Sequence, residues 1–381
     1  MILKKVISAL FLTVVIAVSA LYLSGYGYII TAFNRVYLQG NFTANINDHN
    51  AFNVNTIKTA KPELLPNSKS LNTKQLNQDF MQELQGHGTA AFVVIKDGQT
   101  IYERYLNGYH NRSKTNSFSM AKTVLTLLVG IAIDEGVIKG LDQPLVDFLP
   151  EFANDPFGKN ATIGQLSQMT SGYDWDEHYY SPLSPTVELL YGSDVEAFLL
   201  KRNFSAQPGS FWEYSSASTQ LLGILLKRAL HKSGKDMSLA DYLSEKIWQP
   251  LQMNDDALWH TDGEGIELAY CCISTNARNY AKLGMLMLAN GKWKGKTIAP
   301  QEFIQQMIQP SGQDYYGLST WLELQHNPAY YHFSGHLGQY IIVIPEHQMV
   351  VVRLGERQDN SRDFRTEIIP RYVRQAIALT E

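Results

Sequence analysis

Two cysteines in 381 residues leave no material for a disulfide framework, and because Cys271 and Cys272 are neighbours, their adjacency argues against pairing with each other. Zinc-type cysteine spacing is absent too. Charge is sparse: Asp, Glu, Lys and Arg make up 18% of the chain, the formal net charge is -4, and no long basic run comes after the first residues. That leaves no electrostatic footprint for nucleic acid. No repeat of 20 to 50 residues is visible, which excludes solenoids and propellers. What is present is apolar material, 45% of the chain, enough for a large core in one or two domains and incompatible with a disordered protein.

The chain opens with Lys4 and Lys5 and then runs from Val6 to Ile30 without a charge. Twenty-five helical residues span about 37 Å, enough to cross a hydrocarbon core with some tilt. The two lysines place the N-terminal side in the cytoplasm and the rest outside. Val18-Ser19-Ala20 carries the small residues of a signal-peptidase site, but the apolar run continues past it, which favours an uncleaved anchor over a cleaved signal. Either way residues 1–30 direct the remainder of the chain to the periplasmic or extracellular side.

Residues 31–74, rich in Asn, Lys, Thr and Pro, hold no sustained period and read as a tether that becomes a surface-wrapping arm. The globular part is expected from 75 to 381. Leu71 to Gln85 reads as its first helix, and Ala90 to Lys96, Asp97-Gly98 and Gln99 to Leu106 read as a β-hairpin. A helix-rich region comes next, about 140–290. Strand signals return in Tyr330 to Phe333, Gln339 to Ile344 and Met349 to Leu354, and Asp363 to Leu379 reads as a closing helix. The fold class is therefore mixed α/β: an antiparallel sheet built from both chain ends, flanked by helices, with an inserted mostly helical region. A site would lie in the cleft between the two parts.

Ser119-x-x-Lys122 occurs once, where the polar turn Ser117-Phe118-Ser119 runs into the apolar helix Val124 to Ile133. At a helix start the unpaired N–H groups and the dipole favour a deprotonated hydroxyl, and a residue three positions on lies on nearly the same face. A lysine desolvated by that helix becomes a general base. Composition alone yields roughly one such match by chance, so the reading depends on what lies downstream. Two further stretches stand out. Pro208-Gly209 leads into Tyr214-Ser215-Ser216 and the helix Ser218 to Leu230, although a tyrosine in such a loop is ordinarily packing. In Ser334-Gly335-His336-Leu337-Gly338-Gln339, glycines at a strand start permit close backbone approach. His332 and His336 have metal-like spacing, but the Ser-Gly between them opposes a helix and hence a metal pair.

In order and spacing these three elements resemble the class C β-lactamase-like serine hydrolases, a superfamily that includes D-Ala-D-Ala peptidases, esterases and 6-aminohexanoate-dimer hydrolase. Ser119-x-x-Lys122 matches the first motif, Tyr214-Ser215-Ser216 the Tyr-x-Asn motif, and His336-Leu337-Gly338 the Lys-Thr-Gly motif. The phrases Met169-Thr170-Ser171-Gly172 and Tyr280-Ala281-Lys282-Leu283-Gly284 are similar to the family as well, and the resemblance covers roughly 75 to 380. It implies an acylating Ser119, with Lys122 taking its proton and Tyr214 relaying protons. It also implies an oxyanion hole from the Ser119 and Gln339 amides, substrate contacts at Ser216, His336 and Gly338, and no metal or organic cofactor. Ser216 in place of Asn, and His336 in place of Lys, lean toward the esterase and 6-aminohexanoate-hydrolase branch and a small ester or amide substrate. A β-lactamase or D-Ala-D-Ala carboxypeptidase, and a non-catalytic binding protein with the same fold, are the alternatives. The sequence leaves the oligomeric state open.

Overall fold

The computed structural model describes residues 2–41 and 43–381. An apolar helix, α1 (Ile2–Leu23), has no buried residue and is long enough to span a membrane. It stops short of the uncharged run. Gly25, at φ +87, ends it in the left-handed conformation that glycine adopts most easily, and a second helix, α2 (Gly27–Val36), begins two residues later. The single span expected to Ile30 is thus two helices.

The expected tether is also more ordered than its composition announced, because it contains most of α2 and the strand β1 (Asn53–Ile57). Asn77 then accepts hydrogen bonds from the Asp79 and Phe80 amides and caps α3 (Gln78–Gly86). This helix is shorter than expected because turns occupy the residues before it. The hairpin forms as read: β2 (Thr89–Lys96) and β3 (Gln99–Tyr105) turn through Asp97 and Gly98, both at positive φ. After β4 (Thr115–Asn116) comes α4 (Met120–Asp134).

The insertion holds α5 (Ile163–Ser167), α6 (Pro185–Tyr191), α7 (Val195–Leu200), α8 (Ser216–Lys232) and α9 (Leu239–Leu243). Next come β5 (Ala257–Thr261), β6 (Ile273–Thr275), α10 (Ala277–Leu288), the short hairpin β7 (Lys292–Trp293) and β8 (Lys296–Thr297), and α11 (Gln301–Met307). The chain returns to the main sheet with β9 (Trp321–Glu323), β10 (Tyr330–Gly335), β11 (Gln339–Ile344) and β12 (Met349–Gly355), and closes with α12 (Ile369–Ala378).

The main sheet is antiparallel in the order β3-β2-β12-β11-β10-β9, with Val93 opposite Val352 and Val352 opposite Ile341. Its central strands β2, β11 and β12 are buried at nearly every position because helices cover both faces. Ala91, Val93, Ile95, Ile341, Val350 and Val352 face the large core that contains α4 and α10. Phe92, Val94, Ile342 and Val351 alternate with them and face the smaller core under α3 and α12. A second sheet, in the order β1-β5-β6-β4, was not expected; β5 and β6 come from the insertion, β1 from the arm and β4 from just before α4. Its strands are two to five residues long, too short to show a readable period. The arm is fastened at a further point by the buried Lys282 amine, which donates to the carbonyls of Glu63 at 2.5 Å and Gln252 at 2.6 Å.

Candidate active site

Helix α4 is almost wholly buried, and its start is held by a network that begins one strand earlier. The Phe118 amide donates to Asn116 Oδ1 at 2.9 Å, and the Ile273 amide donates to Ser117 Oγ at 3.0 Å. Phe118 takes a φ of +44, a conformation disfavoured for a bulky side chain and sustained only by such surroundings. The turn delivers Ser119 to the N-cap position of α4, half-buried beside a cavity of about 180 Å³.

Lys122 is 1% exposed. Its Nζ donates to Ser119 Oγ at 3.2 Å, to Ser216 Oγ at 3.1 Å and to the Tyr270 carbonyl at 3.0 Å. Burial lowers its pKa to about 8, against a smaller upward pull from Glu177. Its rim is aromatic, with the rings of Tyr214 and Tyr270 centred 5.1 and 5.2 Å from Nζ. Once neutral, the amine has a lone pair within reach of the Ser119 hydroxyl. Tyr214 is wedged between Trp321, stacked at 5.8 Å, and Tyr316, edge-on at 6.3 Å. Burial, and next the charge of Glu177, hold its phenol well above the ordinary value, while a contact with the Ser119 hydroxyl works the other way.

Ser216 lines the cavity, but its hydroxyl is committed: it accepts from Lys122 and donates to Glu177 Oε1 at 2.5 Å. Glu177 is a site residue to which the sequence alone assigned no role. Its carboxylate collects four donors, from Trp175 Nε1, the Ser216 amide, the Ser216 hydroxyl and the Tyr179 hydroxyl. The signal available was position only, at the end of the stretch that starts at Met169.

The third motif arrives from β10. A Cβ on Gly335 would lie 2.2 Å from the Ser117 carbonyl oxygen, so only glycine lets this strand end meet the Ser119 turn. His336 then reaches the cavity and packs among Phe118, Tyr179 and Tyr180. Burial lowers its pKa to about 4, so it is neutral at pH 7, and its Nε2 is buried without a hydrogen-bond partner among the described residues. Gly338 does not line the cavity. Its φ is +83, its carbonyl accepts from Arg353 Nη1 at 2.8 Å, and a side chain would collide with that guanidinium. Gly338, expected to contact substrate, is thus seen here shaping the turn beside Arg353. The Gln339 side chain likewise points inward, bonding His336 and Gly355 and leaving only its backbone for chemistry.

A further correction concerns the cysteines. Cys271 and Cys272 are disulfide-bonded to each other. The left-handed φ of +75 at Cys272 supplies the reversal that an extended pair lacks, and both residues line the cavity immediately after Tyr270.

Comparison with known proteins places this geometry. The Beta-lactamase family model matches residues 75–371. The 6-aminohexanoate-dimer hydrolase of Paenarthrobacter ureafaciens is 26% identical over 241 residues, covering 60% of this chain and 59% of that protein. Penicillin-binding protein 4* of Bacillus subtilis is 25% identical over 211 residues, covering 51% and 42%. The chain thus spans only about half of the length of these relatives. Among solved structures, a Bacillus anthracis protein assigned to the 6-aminohexanoate-dimer hydrolases superposes with a TM-score of 0.74 at 24% identity over 90% of this chain and 93% of its own. A family VIII carboxylesterase superposes with a TM-score of 0.60 at 16% identity over 80% and 99%. With a family match over most of its length and a serine and a buried lysine in hydrogen-bonding contact at the head of α4, the chain belongs to the beta-lactamase family of serine hydrolases.

Proposed function

We propose that the protein hydrolyses a small neutral ester or amide through an acyl-enzyme on Ser119. The observation that carries this reading is the buried Lys122 amine 3.2 Å from Ser119 Oγ, with a pKa lowered to about 8. In the first step neutral Lys122 takes the hydroxyl proton as Ser119 Oγ bonds to the carbonyl carbon. The tetrahedral intermediate collapses, the bond to the leaving group breaks, and that group departs with a proton passed on through Tyr214. In the second step water adds to the acyl carbon, surrenders a proton along the same path, and the acid leaves as the Ser119 O–H reforms. The Ser119 and Gln339 amides would receive the developing oxyanion, each donor typically lowering the barrier by about 3 kcal/mol. Ser216 and Glu177 act as positioning residues for Lys122.

Neutral His336 supports an uncharged substrate, because it offers no fixed cation for a carboxylate. The apolar helix α1 supports a membrane-anchored enzyme with its catalytic domain exported.

Treatment with a fluorophosphonate followed by peptide mass spectrometry is expected to find the adduct on Ser119. Ser119→Ala and Lys122→Ala should each lower kcat/KM on a p-nitrophenyl ester by roughly ten-thousand-fold or more while leaving the folded state intact. An adduct on Ser117 or Ser216 would refute the assignment.

A further inference from the structure

One wall of the cavity over Ser119 is built outside the region that matches the family. That match begins at residue 75, whereas Ala32, Val36 and Ala44 line the cavity from α2 and the segment after it. Helix α2 is seated for this. Tyr28, Ala32 and Val36 recur every four residues on its inner face, Tyr28 and Val36 are buried, and Phe33 is exposed. The Arg35 guanidinium lies 4.3 Å from the centre of the Phe52 ring, which ties the helix to the domain. Helix α6, packed against α2, presents Val187 and Leu190 to the same cavity.

We propose that this is an acyl-chain pocket, in which α2 and α6 enclose an uncharged aliphatic chain of about six carbons, with Ala32, Val36, Val187 and Leu190 setting its length. The proposal rests on acylation at Ser119. Size is the first argument: the cavity measures about 180 Å³, and an apolar cavity of about 150 Å³ holds the six carbons of benzene. The lining chemistry is the second. Among the described residues, no Asp, Glu, Lys or Arg lines the cavity. Of its hydroxyls, Ser216 is committed to Lys122 and Glu177, and Thr186 donates to the Asp176 carbonyl at 2.8 Å. A chain ending in an ammonium or a carboxylate would therefore lose its water without meeting an opposite charge, the neutral His336 Nε2 and the Tyr270 hydroxyl being the unpartnered polar atoms left to it. The third argument is the order of events. The acyl group stays on Ser119 Oγ between the two steps while the leaving group departs, so the enclosed space suits the part that stays.

The test uses the full-length protein in lipid nanodiscs with p-nitrophenyl acetate, butyrate, hexanoate and 6-aminohexanoate. From acetate to hexanoate kcat/KM is expected to rise at least about tenfold, and the 6-aminohexanoate ester to fall at least about tenfold below hexanoate. Ala32→Trp, from α2, and Val187→Phe, from α6, should each cut the hexanoate-to-acetate ratio at least about fivefold. Labelling of Ser119 by a fluorophosphonate reports that the site is assembled in each variant, and the smaller Ala32→Val replaces either one that does not label. A flat profile in labelled wild type, equal rates for the hexanoate and 6-aminohexanoate esters, or unchanged ratios in the labelled variants would overturn the pocket while leaving the serine hydrolase reading in place. Absence of both labelling and turnover would bring down that reading and the pocket with it.

Discussion

Lys122 shows how a residue acquires chemistry from its surroundings. In the unfolded chain it titrates near the ordinary lysine value, whereas burial brings it to about 8 in the folded protein. On the proposed mechanism the neutral form is the base, so kcat/KM on a neutral ester should rise with pH and level off above an apparent pKa of about 8. A rate constant from pH 6 to 10 would point to another base. The same shift has a stability consequence with a definite sign. Between the folded and unfolded values the unfolded chain holds a proton that the folded chain has released, so this site's contribution to stability rises with pH across that window. Lys122→Met should remove that rise, leaving an inactive protein whose urea midpoint gains less than wild type between pH 8 and 10. His336 supplies the contrasting case. A lysine at this place would bring a cation among Phe118, Tyr179 and Tyr180, so His336→Lys is expected to move the kcat/KM ratio toward a cephalosporin and away from a neutral ester. An unchanged ratio accompanied by lower stability would mean that His336 only packs the turn.

At the scale of elements, the parts that could be read from the sequence are those whose signals are local. The Asp97-Gly98 turn, the start of α4 at Ser119 and the apolar strands β10 to β12 lie where composition and spacing place them. The arm was opaque for a physical reason. β1 buries only Ile57 and is ordered by pairing with β5 some two hundred residues later, a partnership with no trace in its own sequence. Glu177 escaped notice because its importance lies in four donors gathered from separate places, and the cysteine pair because a left-handed residue cannot be foreseen at Cys272. Arg353 belongs with these. It is fully buried in β12 and has no acidic partner among the described residues. Its guanidinium instead donates to the carbonyls of His87, Leu337, Gly338 and Arg357. It therefore clamps the turn between β10 and β11, which carries His336 and leads to Gln339. Arg353→Met would leave those carbonyls dry and unpartnered, costing roughly 3 kcal/mol or more by chemical denaturation. Since the clamp holds the turn, kcat should fall even at temperatures where the variant stays folded, and a stability loss with unchanged kcat would show the turn to be held by other means.

At the scale of the whole molecule, the chain couples an N-terminal membrane-length helix to a catalytic fold through three residues, 24–26. If α1 is an uncleaved anchor, N-terminal sequencing of the mature protein from membranes is expected to begin at the initiator region. A mature chain beginning at Leu21 would instead identify a cleaved signal and a released enzyme.

The main sheet adds a temporal consequence. Strand β2, near the beginning of the fold, finds its inner neighbour in β12, near its end, while Ser119 lies between them in sequence. Closing so long a loop is the slow part of assembling such a topology. A chain folding from its N-terminus therefore presents Ser119 early but cannot seat it, since the strand end that meets the Ser119 turn at Gly335 and the Arg353 that clamps the neighbouring loop both arrive late. Reactivity is withheld until the last strand is delivered, and the polypeptide becomes an enzyme only when the two ends of its fold meet.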